Sequence, residues 1–412
     1  MNAEILSTGD EIRSGHTLDT NSAYLAKKLE ENGIFVTRHH CVGDTVPEIE
    51  SILQEISERA DICIVTGGLG ATQDDLTAEA AANAFGVAFF KNEETYREVT
   101  RFFHERNLEM SWLDEKEAMF PEGAQVLTNT VGVAPGFYIV YRKCHFFFMP
   151  GVPTEMKKMF ENEVLSVLKT LGYVHPNRYH VTTYCCFGLS ESSAQEKLND
   201  FSTHFPTIQI GYQVSLPIVK IKLYSADEKE MREVVPKART WVLDRIGEFI
   251  YSDMDERLEE TLARYLKKKQ TTLSVAESCT GGLISHLLTN IPNISEYFTL
   301  GVVSYSNEAK MNILGVEEET IRTYGAVSKE VVQEMAKGVR QKGHSEYAIA
   351  TTGIAGPAGG SAEKPVGTVW ISIATPQETT VTQKIYSFND RRMHKAFFAG
   401  AALFSLIRKL SA

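Results

Sequence analysis

Short apolar runs and amphipathic stretches alternate from the start of the chain to residue 172. Glu4-Ile5-Leu6-Ser7, Ile34 to Cys41 and Asp61 to Thr66 read as strands apolar enough to lie inside a sheet. Between them Asn21 caps a helix that Gly33 stops, and Pro47 opens another that carries Ile49, Ile52, Leu53 and Ile56 on one face. Strand and helix in strict alternation predict a parallel α/β sheet. An alanine-rich helix ending near Gly86, a charged helix over Glu93 to Asn107, a hairpin of Phe137–Tyr141 with His145–Met149, and a long helix from Thr154 to Leu171 complete this segment.

The rhythm changes from Arg178. Strand Tyr179–Cys185, helix Ser190–Asn199, strands Ile208–Gln213 and Ile218–Tyr224, helix Asp227–Ile246 and strand Glu248–Tyr251 make a split β-α-β pattern. It carries no Gly-x-x-Gly loop of the kind that clamps RNA phosphates. After a helix over Asp255–Lys269 the α/β order returns. Strands are expected at Thr271–Val275, Tyr297–Tyr305, Tyr347–Thr351 and Gly367–Ala374, and helices from Leu283, from Asn307 as a cap, and over Met393–Leu410. The expectation is therefore an α/β chain of three domains, 1–172, 175–252 and 255–412.

Three strand ends carry candidate chemistry. The first is Thr66-Gly67-Gly68-Leu69-Gly70, where three glycines in four positions allow backbone amides to close round a phosphate in the crevice where such sheets bind ligands. It is neither a Walker A loop nor a dinucleotide fingerprint. Asp44 and Asp75 can offer carboxylate oxygens to a divalent cation such as Mg, and Lys116 can meet a phosphate. In the plainer reading Asp74 caps the next helix and Asp75 answers its dipole.

The second is Ala276-Glu277-Ser278-Cys279-Thr280-Gly281-Gly282. A hydroxyl and a thiol stand side by side at a turn whose glycines leave the first helical amides, at Thr280 to Gly282, open to an oxyanion. A cap and a small core residue would have the same letters. Tyr305 and Lys310 flank the next strand-to-helix turn, and such turns gather on one edge of a parallel sheet. Ser278 and Lys310 can therefore meet as nucleophile and base, a lysine stripped of water losing enough basicity to take a seryl proton. The third, Thr352-Gly353-Ile354-Ala355-Gly356, begins a glycine-rich loop suited to a phosphate or ribose, and Arg391 opens the final helix as a phosphate contact.

Bulk properties narrow the classes. In 412 residues, 43% hydrophobic and 23% charged, no apolar run is long enough for a membrane span, and the first residues show no basic and apolar leader, so a cytoplasmic location is expected. The net charge of -11 argues against general affinity for nucleic acid. Six scattered cysteines show no zinc or disulfide spacing.

The strings TGDEI (8–12), DTN (19–21), VGD (42–44), TGGLG (66–70), DDLT (74–77), APGF (134–137), PGVP (150–153), AESCTGG (276–282), YSNEAK (305–310), GAVS (325–328), TTGIAGPAGG (351–360), KPVGTV (364–369) and DR (390–391) resemble the CinA, or competence/damage-inducible protein A, family. They span essentially the whole chain, in the family's order. The resemblance implies a molybdopterin-binding-like first domain with metal-dependent ADP-ribose pyrophosphatase activity, a KH-like middle domain, a C-terminal nicotinamide mononucleotide deamidase needing no cofactor, and a homodimer. It implies Ser278 as nucleophile and Lys310 as its activator. Tyr305, Thr280 and the loop 353–356 would line the nucleotide pocket, and Asp44 and Asp75 fall at functional acidic positions. Departures at Ala71, Glu117 and Val133 all lie in the first domain, while the deamidase strings are intact. A non-catalytic nucleotide-binding role for both sites is the remaining alternative.

Overall fold

The computed structural model describes residues 2–175, 180–225 and 232–411. The chain divides into two compact units, 1–179 and 180–412. Two expected elements reach outside the described residues: the strand from Tyr179 at its first residue, and the helix from Asp227 over its first turn.

In the first unit, β1 (Ala3–Thr8), β2 (Val36–Val42), β3 (Ile62–Thr66), β6 (Gln125–Leu127), β7 (Gly136–Tyr141) and β8 (Cys144–Met149) form one sheet in the order β2-β1-β3-β8-β7-β6. A separate pair is made by β4 (Phe89–Lys91) and β5 (Met119–Pro121). Strands β2, β1, β3 and β8 are parallel, and β7 and β6 add an antiparallel edge. The parallel core follows from β1, β3 and β8, whose apolar runs are buried on both faces. Two cores flank the sheet, one built on Ile49, Leu53, Ile56 and Phe146, the other on Leu25, Leu29, Phe147 and Phe160.

Several local expectations are corrected. Asp19, not Asn21, caps the helix Thr20–Glu31, accepting Ser22 N–H at 2.8 Å. Asn21 is buried and donates to Gly151 O at 2.8 Å. Asp74 does not cap Thr77–Phe85, because the Thr72 hydroxyl turns it toward its own loop. The single helix expected over 154–171 is Pro153–Met159 and Leu165–Thr170 joined by a π turn at Phe160–Val164.

The second unit holds two sheets. Strands β9 (His180–Phe187), β10 (Gln209–Ser215), β11 (Ile218–Ser225) and β12 (Ile250–Ser252) form an antiparallel sheet, β10-β11-β9-β12. Its core includes Tyr184, Phe201, Ile221 and Val242. Strands β13 (Leu273–Glu277), β14 (Phe298–Val303), β15 (Tyr347–Gly353), β16 (Thr368–Ala374) and β17 (Thr379–Ile385) form the other, β14-β13-β15-β16-β17. Here β14, β13 and β15 run parallel while β16 and β17 are antiparallel. The edge strand β17, half-buried at its start and exposed after it, has no counterpart in the sequence reading, since only Val381 and Ile385 interrupt its polar residues. The helix Arg391–Ser411 buries Phe398, Leu403, Leu406 and Leu410 against this sheet.

Candidate active site

Because β13, β14 and β15 are parallel neighbours, their carboxyl ends open on one edge. Ser278 and Tyr305 lie on the turns that leave β13 and β14, and Thr352-Gly353 end β15. Between these turns lies a cavity of about 280 Å³, lined by Ser278, Cys279, Tyr305, Lys310, the loop 352–356 and Arg391, among others. That is near the lower end of the ~300–1,000 Å³ usual for small-molecule sites.

Lys310 is the unusual group. Its side chain is only 1% exposed, and it makes no ion pair among the described residues. Nζ lies 2.9 Å from Ser304 O, 3.3 Å from Tyr305 O and 3.2 Å from Ser278 Oγ. Burial pulls its basicity below the ordinary lysine range. An uncharged amine has two N–H bonds and one lone pair. As an ammonium Nζ donates to all three oxygens; once it is uncharged, with its two N–H bonds on the carbonyls, its lone pair faces the Ser278 hydroxyl.

The neighbouring thiol is differently placed. Cys279 is buried, and burial pushes it up to about 12, so at neutral pH it is a protonated thiol and a poor nucleophile.

The turn after Ser278 does not present an open helix end. Glu277, fully buried at the end of β13, accepts Ile284 N–H at 3.0 Å, and Ser285 N–H and Oγ–H at 2.8 Å each. Gly281 N–H goes to Ser278 O at 3.1 Å and Leu283 N–H to Thr280 O at 3.3 Å. The Glu277 carboxylate thus takes the Ile284 and Ser285 amides and offsets the helix dipole, and of the amides expected to be open, at Thr280 to Gly282, that of Gly281 is bonded to Ser278 O. Gly281 and Gly282, at φ 58° and 87°, make the left-handed turn that allows this. Neither they nor Thr280 line the cavity. Thr280 is buried, with its hydroxyl 2.9 Å from that of Thr351. The amides of Cys279 and Thr280 make no hydrogen bond among the described residues.

Tyr305 contributes its backbone carbonyl to Lys310, while its side chain is 63% exposed and its hydroxyl accepts from Arg391 at 3.1 Å. Arg391 also donates to Gly356 O at 2.5 Å. Ser306, not Asn307, caps the Lys310 helix. Sequence reasoning missed Glu277 because a capping acceptor is sought three residues before its amide, and here the distance is seven and eight. It also missed Asn307, Ala326 and Val327, which line the cavity and carried no signal beyond the strings of the family resemblance.

The first unit has a larger cavity, about 550 Å³, lined by Gly67 to Gly70, Asp44, Asp75, Asn21, Glu117 and Val133 among others. Gly67 and Gly68 are obligatory, since an added Cβ would sit 2.3 Å from Thr8 O and 2.1 Å from Thr77 Oγ1. Lys116 is absent from the lining; its Nζ donates to Thr72 O at 2.8 Å. Asp44 accepts Asp10 N–H at 2.9 Å, and Asp75 accepts Thr72 N–H at 2.9 Å. Among the described residues no three His, Cys, Asp or Glu side chains converge as a cation's ligands would. Burial, with Asp114, Asp75 and Glu155 nearby, pushes Glu117 up to about 8.

No helix among the described residues is long and apolar enough to cross a membrane. Residues 255–410 match the family profile described as CinA C-terminal domain, and residues 4–170 that described as probable molybdopterin binding domain. A CinA-like protein of Desulfosudis oleivorans is 43% identical over 412 residues, covering 100% of both chains. A putative competence-damage inducible protein of a Thermoanaerobacter species is 39% identical over 95% of this chain and 94% of its own. The crystal structure of competence damage-inducible protein A from Klebsiella pneumoniae is 36% identical, covering 37% of this chain and 95% of its own, with a TM-score of 0.36. On full-length identity and on profiles matching both ends of the chain, this protein belongs to the CinA family.

Proposed function

We propose that the second unit hydrolyses the carboxamide of nicotinamide mononucleotide to nicotinate mononucleotide and ammonia. The observation that carries this reading is a buried lysine with no carboxylate partner among the described residues, its Nζ 3.2 Å from Ser278 Oγ. Ser278 Oγ attacks the amide carbon and its proton passes to the Lys310 lone pair. The tetrahedral species then collapses as Nζ–H returns that proton to the departing nitrogen, which leaves as ammonia. Water, activated by the same amine, cleaves the seryl ester, and Ser278 recovers its proton. With the helix amides held by Glu277, the amide of Cys279, a residue that lines the cavity, is the donor left beside Ser278 for the oxyanion. Each such donor is typically worth ~3 kcal/mol. At the other end of the cavity Arg391 and the amides of Ala355 and Gly356 receive the phosphate, the Ile354 amide being bonded to Thr368 O. No step calls for a cofactor.

The test is ammonia release from nicotinamide mononucleotide by the full chain, by Ser278→Ala and by Cys279→Ser. Activity in wild type and Cys279→Ser with none in Ser278→Ala is expected. Retained turnover in Ser278→Ala would discard the assignment.

A second reading concerns the first unit, where the obligatory glycines at 67 and 68 shape a cavity of about 550 Å³. Its amides suit a nucleotide such as ADP-ribose, as ligand or as pyrophosphatase substrate. Calorimetry and AMP release with ADP-ribose, with and without Mg, separate binding from cleavage. Neither signal in either condition would remove this reading. Action in the cytoplasm and as a homodimer are parts of the same proposal, and the sedimentation of the full chain checks the second.

A further inference from the structure

The loop that follows β15 is held from behind. His394, 1% exposed on the first turns of the helix Arg391–Ser411, lies with Nδ1 3.0 Å from Ala355 O. Its Nε2 is 3.2 Å from the Phe388 amide and 3.0 Å from Tyr386 O. Two protonation patterns meet two of these three neighbours: one proton on Nδ1 with Nε2 accepting from Phe388, which leaves Tyr386 O unmet, or protons on both nitrogens donating to both carbonyls, which leaves the Phe388 amide unmet. Nδ1–H donates to Ala355 O in each. The remaining tautomer sets a lone pair against the Ala355 carbonyl and two N–H groups against each other, so it is disfavoured. The approach requires Gly367, where an added Cβ would stand 2.9 Å from Nε2 and 1.7 Å from Tyr386 O.

A trans peptide is planar, and its C=O and the following N–H point in opposite directions. His394 lines a second cavity, of about 390 Å³, on its own side of the loop, while Ala355 and Gly356 also line the cavity of Ser278. Drawing the Ala355 carbonyl toward His394 therefore turns the Gly356 amide away from the histidine, toward the Ser278 cavity. The Ala355 carbonyl is thus held by the imidazole, and the next one along, Gly356 O, by Arg391 at 2.5 Å.

We propose that His394 is a positioning residue for the nucleotide's phosphate: through Nδ1–H on Ala355 O it aims the Gly356 amide into the cleft without touching substrate itself. This rests on the nicotinamide mononucleotide reading above. Because the contact serves the phosphate end and not the carboxamide, its loss falls on KM and spares kcat.

Asparagine places its amide N–H near the position of Nδ1, whereas glutamine reaches the position of Nε2, so the pair separates the two contacts. Full-chain His394→Asn, His394→Gln and His394→Phe are compared with wild type by ammonia-release kinetics, by calorimetric binding of nicotinamide mononucleotide and by melting temperature. For His394→Gln and His394→Phe, KM and Kd are expected to rise tenfold or more with kcat within about threefold. His394→Asn stays within about threefold of wild type on all three. If Phe fails to fold, the Asn and Gln pair still decides. Equal KM and Kd in Asn and Gln, with wild type turning over, would overturn the role of His394 and leave the deamidase reading standing. Binding without ammonia release in wild type would remove the deamidase reading, and the Asn–Gln difference in Kd would still decide on His394. Absence of binding in wild type would overturn both.

Discussion

The two cavities use charge in opposite ways. In the first unit carboxylates crowd the cavity wall, and backbone amides take up Asp44, from Asp10, and Asp75, from Thr72 of its own loop. In the second a lysine without a carboxylate partner among the described residues is enclosed, and the carboxylate next to Ser278 in sequence, Glu277, is turned away to hold a helix end. An unpaired lysine stripped of water is pushed toward its neutral, basic form, whereas carboxylates crowded together are pushed toward their protonated forms. Glu117 and Lys310 are the two outcomes in one chain. A group held by its own scaffold supports shape; a group left with one unclaimed lone pair is available for chemistry.

The sharpest way to break this contrast is to remove the unclaimed base. Lys310→Met is expected to lower ammonia release by about 10²–10⁴-fold, the usual range for a general base, with the melting temperature near wild type. A fall of less than tenfold would mean that the proton leaves Ser278 by another route. The pH profile sharpens the same point. With the amine required uncharged, kcat/KM climbs with pH and levels off below the ordinary lysine range of ~10.4. A profile that descends through neutral pH would contradict it.

Glu277→Gln tests the carboxylate turned away from the lysine. The variant presents an amide to a site that supplies three donors, and costs about 1–3 kcal/mol, read as a lower denaturant midpoint. No shift would mean that the helix end is held by other groups. The first unit is tested through Glu117. Its carboxyl is raised in the folded state from 4.5 to about 8, so the folded protein binds the extra proton between those values and stability falls as pH rises across that window. Glu117→Gln should flatten that fall in a melting series from pH 5 to pH 8. An unchanged slope would place Glu117 in contact with water.

Much of this was legible in the sequence, and the reasons differ by region. Buried parallel strands announce themselves as uninterrupted apolar runs, as β1, β3 and β8 do, whereas β17 is polar but for Val381 and Ile385 and left no signal. The meeting of Ser278 with Lys310 followed from two strand-to-helix turns on one sheet edge. Roles that depend on where a side chain turns were illegible. Glu277 could equally have faced the lysine, and only the fold shows it reaching seven and eight residues ahead. Likewise Lys116 and Asp75 carry the letters of ligand contacts, yet both bond to the Thr72 backbone.

The charge state of Lys310 is the quantity on which the account turns, and it can be observed without any substrate. Lysines labelled with ¹³C at Cε are titrated by nuclear magnetic resonance in the full chain, with Lys310→Met assigning the resonance. The account predicts that this one signal titrates below the ordinary lysine range, as its burial requires. A Lys310 signal that titrates with the surface lysines, or above them, would contradict it.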